Sequence, residues 1–435
     1  MNLLVIFVPV STGLFVVGFI AVVFLTAFLL SGLFGPTPEY EIGNRNQVPL
    51  NDSADFVDLL ESLVDAKVNR KGIVEVLKDG PCFYRAELQA IRRAQRSVNL
   101  EAYIYQKGAI GREYLEALTE RARAGIHVNI LLDAFGSGGT SRAFFRPLLE
   151  AGGEVRWYNS PTWYRLTRLD NRTHRELLVV DGRVGFIGGA GIADQWYSGL
   201  RGKPRWRDTM VQVEGEAVPN LQATFAENWV TANGELLVGD GYFPKIASTR
   251  ETTALVINST PTVGGATRAR ILFQLLLASA RHKISITTPY FLPDKSLTRE
   301  LCRAVTERGV KLCILVPGRK SDHLLTRSAS RGGYGPLLKA GAEIYEFQPA
   351  MIHAKILCVD ERWAVIGSTN FDYRSFGIND EVNLAVCNTA FAGQLERDMV
   401  ADLTQSRRIS LNQWKHRPIT DRVPELLGWI FERQQ

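Results

Sequence analysis

The first feature of the chain is a long apolar stretch at its amino terminus. No charged residue occurs between Leu3 and Phe34, whereas a helix that spans a bilayer needs only about 20 apolar residues. A cleaved signal peptide would carry basic residues before a shorter apolar core, and no Lys or Arg precedes this stretch. The pattern therefore predicts an uncleaved membrane anchor at residues 1–35, with two re-entrant segments broken at Pro9 as the alternative.

The remaining chain has the pattern of an α/β protein. Beyond a predicted linker at residues 36–55, short apolar runs alternate with helix-like segments, which indicates an α/β fold. The runs LLVVD at 177–181 and ILCVD at 356–360 are apolar up to their final residue. Such uninterrupted runs are typical of strands that are buried on both faces.

Four sequence blocks occur twice, in the same order and with similar spacing. They are SVNLEAYIY and KISITTPYF, ERARAGIHVNILLD and ERGVKLCILVP, LLEAGGEVRWY and LLKAGAEIYEF, and HRELLVVDGRVGFIGG and HAKILCVDERWAVIGS. Each set predicts strand, helix, strand, helix, strand and then a pair of strands. The chain therefore contains two copies of one α/β unit, which we place at residues 56–250 and 251–435. Packed about a pseudo-two-fold axis, the two final blocks would share one site.

The overall composition narrows the class of protein without identifying it. Apolar residues make up 46% of the 435 residues and charged residues 22%, which excludes disordered, collagen-like and coiled-coil proteins. The net charge of +6 fits a phosphate-bearing partner or a membrane surface and is too small to indicate nucleic acid. Five cysteines without a CxxC pair give no indication of a disulfide framework or a zinc site.

The last block of the second copy carries the residues best suited to chemistry. It has the pattern HxKx4D from His353 to Asp360 and continues as GSxN up to Asn370. Alternation along a strand places His353 and Lys355 on the same face. A histidine beside a lysine suits a phosphate group, because the imidazole can attack or protonate while the ammonium neutralises charge. A chance pair on the surface is the alternative, and the full pattern inside a repeat disfavours it.

This pattern resembles the signature of the phospholipase D superfamily, and the resemblance covers both copies. Within that superfamily, the apolar amino terminus and the segments TPYFLPD and GSTNFDYRSFGINDE are most similar to bacterial cardiolipin synthases. The resemblance implies one active site between two repeats, a phospho-histidine intermediate, and neither a metal nor another cofactor.

The resemblance also assigns roles in the second copy. Glu381 matches the carboxylate that orients the imidazole of His353, since a carboxylate on one ring nitrogen fixes the tautomer. Asp360 belongs to the catalytic motif, and we interpret it as holding the turn after its strand. The residues that match the phosphate-binding face are His353, Lys355, Ser368 and Asn370.

The first copy departs from the family pattern. His174 and Asp181 are in place, but Glu176 stands where the motif lysine is expected and Gly191 where the asparagine is expected. Asp208, in the sequence WRDT, is the expected partner of His174. The resemblance implies that one histidine of the two copies is the nucleophile, and it assigns this role to the histidine of the first copy.

Glu176 allows three interpretations, because a carboxylate near a phosphodiester is electrostatically unfavourable. In the first, this copy of the unit is degraded and the protein binds lipid without turnover. In the second, Glu176 pairs with a nearby arginine. In the third, Lys355 and the neighbouring arginines together supply enough positive charge for catalysis. The arginines just before it are Arg165, Arg168, Arg172 and Arg175. Both histidines and both partner carboxylates are retained, which favours an active enzyme in which Arg172 contacts the substrate.

Further candidates lie outside the two motifs. Arg327, Arg331 and Tyr334 have the spacing of one helix face, which is either a solvated basic face or a contact for a lipid headgroup. The second reading makes Arg331 and Tyr334 substrate-binding candidates. Tyr103 and Tyr290 occupy equivalent positions in the two copies and either line the site or pack in the core. Basic residues interleaved with tryptophan near the carboxyl terminus suit an interfacial membrane contact or an ordinary docked helix.

Together these features predict a phosphatidyltransferase anchored in the cell membrane, with its catalytic part in the cytoplasm. Phosphatidylglycerol would transfer its phosphatidyl group to His174, with His353 as acid and then base, and a second phosphatidylglycerol would accept it to give cardiolipin. The alternatives are a hydrolytic phospholipase D or phosphodiesterase, in which water is the acceptor, and a non-catalytic lipid-binding protein. We expect membrane phospholipids and no nucleic acid as partners; the sequence leaves the oligomeric state open.

Overall fold

The computed structural model describes most of the chain beyond the predicted anchor. The described residues are 39–160, 171–200, 202–261 and 266–418, with separate positions between 15 and 26 and at 422 and 425. Most of the anchor predicted at residues 1–35 lies outside these residues. Within the described part of the chain, no helix is both long enough and apolar enough to cross a bilayer. The anchor stays a prediction.

The strands form one continuous mixed sheet with two halves. The described strands of the first half are β1 (Val68–Lys78), β2 (Ser97–Ala102), β3 (His127–Asp133), β4 (Glu154–Tyr158), β5 (Leu177–Val180), β6 (Val184–Gly188) and β7 (Thr209–Gly215). Those of the second half are β8 (Glu251–Ser259), β9 (Lys283–Thr287), β10 (Lys311–Pro317), β11 (Glu343–Phe347), β12 (Ile356–Val359), β13 (Trp363–Gly367), β14 (Glu381–Cys387) and β15 (Ser406–Ile409).

The strand order confirms the predicted duplication. The first half runs β1-β7-β6-β5-β2-β3-β4, and the second runs β8-β14-β13-β12-β9-β10-β11 with β15 added at its edge. In each half three strands are parallel, namely β2 to β4 and β9 to β11, and the others pair antiparallel. Antiparallel pairing of β1 with β8 joins the halves, so the fold is α/β with two similar units.

Helices cover the faces of the sheet. In chain order they are α1 (Ala54–Val64), α2 (Gly80–Arg93), α3 (Ala109–Arg123), α4 (Arg146–Glu150), α5 (Asp194–Tyr197), α6 (Val218–Asn233), α7 (Arg268–Ser279), α8 (Lys295–Thr306), α9 (Leu324–Gly332), α10 (Tyr334–Ala340), α11 (Tyr373–Gly377), α12 (Thr389–Leu403) and α13 (Leu411–Lys415), with 3-10 turns at Arg45–Gln47 and Arg142–Phe145. These are the helices of the described residues.

Helix α1 precedes the first half in the chain but packs on the second. Ser53 caps it by accepting a hydrogen bond from the amide of Phe56, which satisfies one amide of its first turn. Phe56, Leu60 and Val64 recur on one face and are fully buried in the core of the second half. The domain boundaries predicted at residues 55 and 250 stay predictions, and the start of the first predicted unit is held by the other half.

Candidate active site

His174 lies just before β5, where the two halves meet. Its amide donates to the carbonyl of Asp380, in the second half, at 2.9 Å. This contact brings its ring to Glu381, the next residue, with Nδ1 at 3.2 Å from Oε2. Nδ1 is also 3.0 Å from the carbonyl oxygen of Ser368, whose hydroxyl donates to the buried Glu381 carboxylate. Because both partners of Nδ1 are acceptors, Nδ1 carries the proton and Nε2 is left for a substrate.

His353 lies just before β12. Its contacts correspond to those of His174, but they run from the second half to the first. Its amide donates to the carbonyl of Arg207, in the first half, at 2.7 Å. Its Nδ1 is 2.9 Å from Oδ2 of Asp208, which also accepts from the indole of Trp196 at 3.0 Å. Burial acts to raise the pKa of Asp208, but the hydrogen bond with His353 and the charge of Lys355 bring it below its ordinary value. Asp208 is therefore a fixed anionic partner.

The expected pairing within each copy is wrong. Glu381 contacts His174 rather than His353, and Asp208 contacts His353 rather than His174. The cause is the backbone, because each histidine segment hydrogen-bonds to the residue just before the carboxylate of the other half. Both halves are consequently needed to complete either pair.

Both imidazoles line one cavity of about 790 Å³. Its walls are largely aromatic: the ring of Tyr103 lies 5.1 Å from that of His174, and Trp196 and Trp206 lie 5.3 and 5.4 Å from His353. Three apolar side chains that line it are mostly exposed to solvent, namely Phe135, Leu324 and Leu325. The cavity thus combines a polar centre with an apolar mouth, which suits an amphipathic molecule.

Lys355 supplies a buried positive charge beside His353. Its Nζ is 2.8 Å from Nδ1 and 3.0 Å from Nε2 of His353, and it donates to the carbonyl of His353 at 2.9 Å. The ammonium reaches across to the first half, where it lies over Gly189. Burial lowers the pKa of Lys355. Burial and the charge of Lys355 also lower the pKa of His353.

Glu176 also lines this cavity and is almost completely buried. Burial raises the pKa of its carboxyl well above the ordinary value, against hydrogen bonds from the backbone and the charge of Lys355. Burial thus favours the uncharged form. The predicted alternative of a salt bridge with Arg175 is wrong, since that buried guanidinium contacts Thr224 and Glu227 at 2.9 and 3.0 Å.

Two further predicted substrate contacts lie at the cavity. Asn370 lines it and is buried; among the described residues its Oδ1 has no hydrogen-bond partner, so this oxygen is available to a ligand. Arg172 lines the cavity as well, with its guanidinium 4.5 Å from the ring centre of Phe135. Ser368 contributes indirectly, through its contacts with His174 and Glu381.

The two motif aspartates do not reach the cavity. Asp181 accepts hydrogen bonds from the amides of Arg96 and Ser97, at 2.7 and 3.0 Å. Asp360 accepts equivalent bonds from the amides of residues 281–283, at 2.7 to 2.9 Å. They therefore tie the end of β5 and of β12 to the start of the neighbouring strand, which agrees with the structural interpretation of Asp360, although neither aspartate lies with the other residues of the catalytic motif.

Arg331 and Tyr334 do not line this cavity, so the structure does not bring them together with the other predicted substrate contacts. The predicted helix face ends because α9 stops at Gly332 and a new helix begins at Tyr334. Tyr334 is buried in the core of the second half. Arg331 contacts the buried carboxylate of Glu346 at 3.2 Å, in a separate cavity.

Sequence reasoning missed several residues of the cavity. Trp196 and Trp206 lie outside the four repeated blocks, so the repeat gave no signal for them. Asp322, which accepts a hydrogen bond from Tyr290 at 2.7 Å, lies in a segment outside the repeated blocks. Tyr103 and Tyr290 do line the cavity, as one of the two interpretations of their equivalent positions proposed. Within the described residues, no group of three or more histidine, cysteine or acidic side chains is placed to hold a metal ion.

Comparisons with known proteins identify the family to which this chain is similar. The family described as "Cardiolipin synthase, PLD-like domain" matches residues 88–229 and 274–403. Cardiolipin synthase 1 of Bacillus anthracis is 33% identical over 390 residues, which cover 87% of this chain and 76% of that protein. The major cardiolipin synthase ClsA of Bacillus subtilis strain 168 is 32% identical over 399 residues, which cover 91% and 81%.

A solved structure supports the fold. The crystal structure of phosphatidylserine synthase from Haemophilus influenzae Rd KW20 superposes with a TM-score of 0.64, covering 87% of this chain and 98% of that one. The sequence identity of 14% limits this likeness to the fold. The family match spans most of both repeats, and the chain therefore belongs to the cardiolipin synthase family of phospholipase D-like phosphatidyltransferases.

Proposed function

We propose that this protein makes cardiolipin from two phosphatidylglycerol molecules through a phospho-histidine intermediate. The observation that carries the proposal is the pair of crossed histidine–carboxylate contacts in one cavity. His174 with Glu381 and His353 with Asp208 present two oriented imidazoles to the same space. Transfer of a phosphoryl group through a covalent intermediate needs this arrangement, with one imidazole as nucleophile and the other as acid and base.

The contacts of Lys355 support the family order of roles, with His174 as nucleophile. The Lys355 ammonium is 2.8 Å from Nδ1 and 3.0 Å from Nε2 of His353, so the His353 ring is already in contact with a cation in the substrate-free protein. The partners of His174 are both on Nδ1, which leaves its Nε2 available to attack phosphorus. Lys355 is then well placed to stabilise the phosphate oxygens as charge develops.

In the first step, Nε2 of His174 forms a bond to phosphorus while the bond from phosphorus to the glycerol headgroup oxygen breaks. The His353 imidazolium gives its proton to that oxygen, and glycerol leaves. The lowered pKa of His353 in the free protein opposes this protonation. A bound phosphodiester anion would offset the charge of Lys355 and so raise the pKa of His353, which couples substrate binding to the formation of the acid.

In the second step, a hydroxyl of another phosphatidylglycerol gives its proton to His353, now neutral, and attacks phosphorus. The phosphorus–nitrogen bond breaks, which restores His174 and yields cardiolipin. Asn370 is a candidate for orienting the phosphate through its amide nitrogen, since this buried side chain lines the cavity. The apolar mouth formed by Phe135, Leu324 and Leu325 would contact the glycerol and acyl parts of the lipid.

Glu176 does not favour the non-catalytic alternative. A charged carboxylate would repel the phosphodiester, but burial raises the pKa of Glu176 and so favours an uncharged side chain. The positive charge of Lys355 is thus retained for the substrate. We further propose that residues 1–35 hold the protein at the cell membrane with its catalytic part in the cytoplasm, close to its lipid substrate.

Product analysis tests the proposed reaction. Full-length protein in mixed micelles of phosphatidylglycerol labelled in its headgroup should release one glycerol for each cardiolipin formed. Phosphatidic acid in place of cardiolipin would identify a hydrolase. Lipid binding without either product would identify a binding protein and contradict the proposal.

A substrate with a good leaving group tests the two histidine roles. Release of p-nitrophenol from phosphatidyl-p-nitrophenol needs no acid, so the His353→Ala variant should still release about one equivalent in a burst. The His174→Ala variant should release none, because it lacks the nucleophile. A burst from the His174→Ala variant alone would reverse the assignment.

A further inference from the structure

Three carboxyl groups of the described residues line the active-site cavity, and their surroundings differ. Glu176 is almost completely buried, and burial raises its pKa well above the ordinary value. Burial also raises the pKa of Asp372, to about 6, and this side chain accepts from the amide of Ser375 in α11 at 2.8 Å. Asp322 is less enclosed, since 18% of its side chain is exposed. The reaction described above does not use it.

Asp322 lies at an edge of the sheet where two parallel strands end. It belongs to the segment between β10 and α9, and Tyr290 follows β9, the parallel neighbour of β10. Because parallel strands run in one direction, the segments that follow them meet at the same edge. The Tyr290 hydroxyl donates to Oδ2 of Asp322 at 2.7 Å, and the amide of His323 donates to Oδ1 at 2.9 Å. These two donors orient the carboxylate.

The carboxylate of Asp322 can accept further hydrogen bonds. Each carboxylate oxygen has room for about two donors, and the contacts with Tyr290 and His323 supply one to each oxygen. A carboxylate beside a phosphodiester is electrostatically unfavourable, whereas hydroxyl groups form short, charge-assisted hydrogen bonds with it. This wall of the cavity therefore suits the hydroxyl groups of a substrate better than its phosphate.

The charge of Asp322 acts on the end of the cavity that holds His353. Burial lowers the pKa of His353 and that of Lys355, and the charge of Asp322 acts in the opposite direction at both groups. In the proposed reaction, His353 gives a proton to the leaving alcohol and later takes one from the attacking alcohol. The two alcohols therefore occupy the same place in turn, and one set of contacts can serve both.

We propose that Asp322 and Tyr290 form a subsite for the glycerol headgroup, in which Asp322 accepts hydrogen bonds from the hydroxyl groups that do not react. Tyr290 positions the carboxylate. The subsite selects glycerol over water and over alcohols with a single hydroxyl, because these have no second hydroxyl to donate. The inference rests on the proposed function and deepens it, since it names the residue that recognises the acceptor.

A competition between two acceptors tests the subsite. Full-length protein in uncharged detergent micelles receives phosphatidyl-p-nitrophenol as donor, with glycerol and propan-1-ol at equal concentrations. The initial products are phosphatidylglycerol, phosphatidylpropanol and, from water, phosphatidic acid. All three arise from the same phospho-histidine intermediate. Their ratio therefore does not depend on how fast the intermediate forms or on how much of a variant is folded.

Asp322→Ala should lower the ratio of phosphatidylglycerol to phosphatidylpropanol by about tenfold or more, since a hydrogen bond to a charged group is worth roughly that factor. The share of phosphatidic acid should rise. Asp322→Asn should give an intermediate ratio, because an amide oxygen is a weaker acceptor than a carboxylate. The matched control is Asp240→Ala, at an exposed position that does not line the cavity, and it should leave the ratio unchanged.

The release of p-nitrophenol separates this inference from the reaction on which it rests. Asp322→Ala should keep the initial release within about threefold of the wild type, because phosphatidyl-p-nitrophenol has no glycerol headgroup. Transfer to both alcohols with an unchanged ratio in Asp322→Ala would overturn the subsite and leave the proposed reaction intact. A wild type that transfers to neither alcohol would refute the reaction, and the subsite with it.

Discussion

The two halves of the sheet have the same strand order, yet they contribute unequally to the active site. In the second half the motif keeps Lys355, whose ammonium contacts His353, and Asn370, which lines the cavity. In the first half the equivalent positions are Glu176 and Gly191. Each half does contribute one histidine and one carboxylate, and each carboxylate contacts the histidine of the other half.

The difference shows how the first half makes room for the lysine of the second half. A Cβ at Gly189 would lie 2.8 Å from Cδ and 2.9 Å from Nζ of Lys355. A Cβ at Gly191 would lie 3.0 Å from Oε1 of Glu176. The first half therefore lacks side chains at the points where the lysine of the second half and the buried carboxyl need room. We interpret the altered motif as an accommodation of Lys355 rather than as decay.

The largest effect should come from the residues that the halves have in common. His174→Ala and His353→Ala should each lower cardiolipin formation by about 10⁴-fold or more, because a nucleophile or an acid–base group is lost. The assay is lipid product formation by the purified variants. His282→Ala is the control, since that exposed side chain does not line the cavity, and near wild-type turnover in either active-site variant would refute the shared site.

The crossed pairing should give the next largest effect. Asp208→Asn and Glu381→Gln should each reduce turnover by about 10²–10⁴-fold, because the partner imidazole loses its fixed tautomer. The pairing itself is tested on the single-turnover burst of p-nitrophenol, which needs His174 but not an acid. Glu381→Gln should suppress this burst and Asp208→Asn should largely spare it. If Asp208→Asn suppressed the burst and Glu381→Gln spared it, each carboxylate would instead pair with the histidine of its own repeat.

A substitution at Gly189, which lies beside Lys355, should have a smaller effect that is specific to the first half. Gly189→Ser copies the serine of the second half and should displace Lys355, which lowers kcat by about 10–100-fold through loss of charge stabilisation. Gly139→Ser is the matched control, since nothing lies within 4 Å of the Cβ position there. If both variants have the same activity, Lys355 does not need this space.

The raised pKa of Glu176 predicts a pH-dependent effect. Below this pKa, Glu176→Gln should stay within about threefold of the wild type, since an amide replaces an uncharged carboxyl. As pH rises through the raised pKa of Glu176, its carboxylate forms beside the phosphodiester, and wild-type activity should fall relative to the variant. The ratio of the two rates across a pH series measures this. A constant ratio would mean that Glu176 does not ionise in that range.

The smallest kinetic effect is expected at the motif aspartates, which the two halves hold in equivalent positions. Asp181→Asn and Asp360→Asn should leave turnover unchanged while lowering the free energy of unfolding by about 1–3 kcal/mol, because bonds from backbone amides to a carboxylate are weakened. Burial acts to raise the pKa of Asp360, but the hydrogen bonds from these amides bring it below its ordinary value. The stabilisation by Asp360 should therefore be present above about pH 4 and lost as pH falls through its lowered pKa. Denaturant unfolding measured alongside activity checks both parts, and a large loss of turnover without unfolding would return these residues to the catalytic set.

Local patterns were sufficient for the fold and for the reacting groups. The repeated blocks predicted two α/β units with one strand order, and the structure contains them. The alternation within HxK placed His353 and Lys355 on one side of the chain, and their side chains are in contact. Tyr334 does not share the helix face of Arg327 and Arg331, because α9 ends at Gly332 and a new helix begins at Tyr334.

What the sequence by itself determined, then, is which residue types are available and how each strand and helix presents them, since these depend on spacing along the chain. Only the tertiary structure decided which carboxylate serves which histidine, because backbone bonds of His174 with Asp380 and of His353 with Arg207 join segments far apart in the chain. It likewise decided the state of Glu176, because burial rather than residue type sets the pKa of a carboxyl.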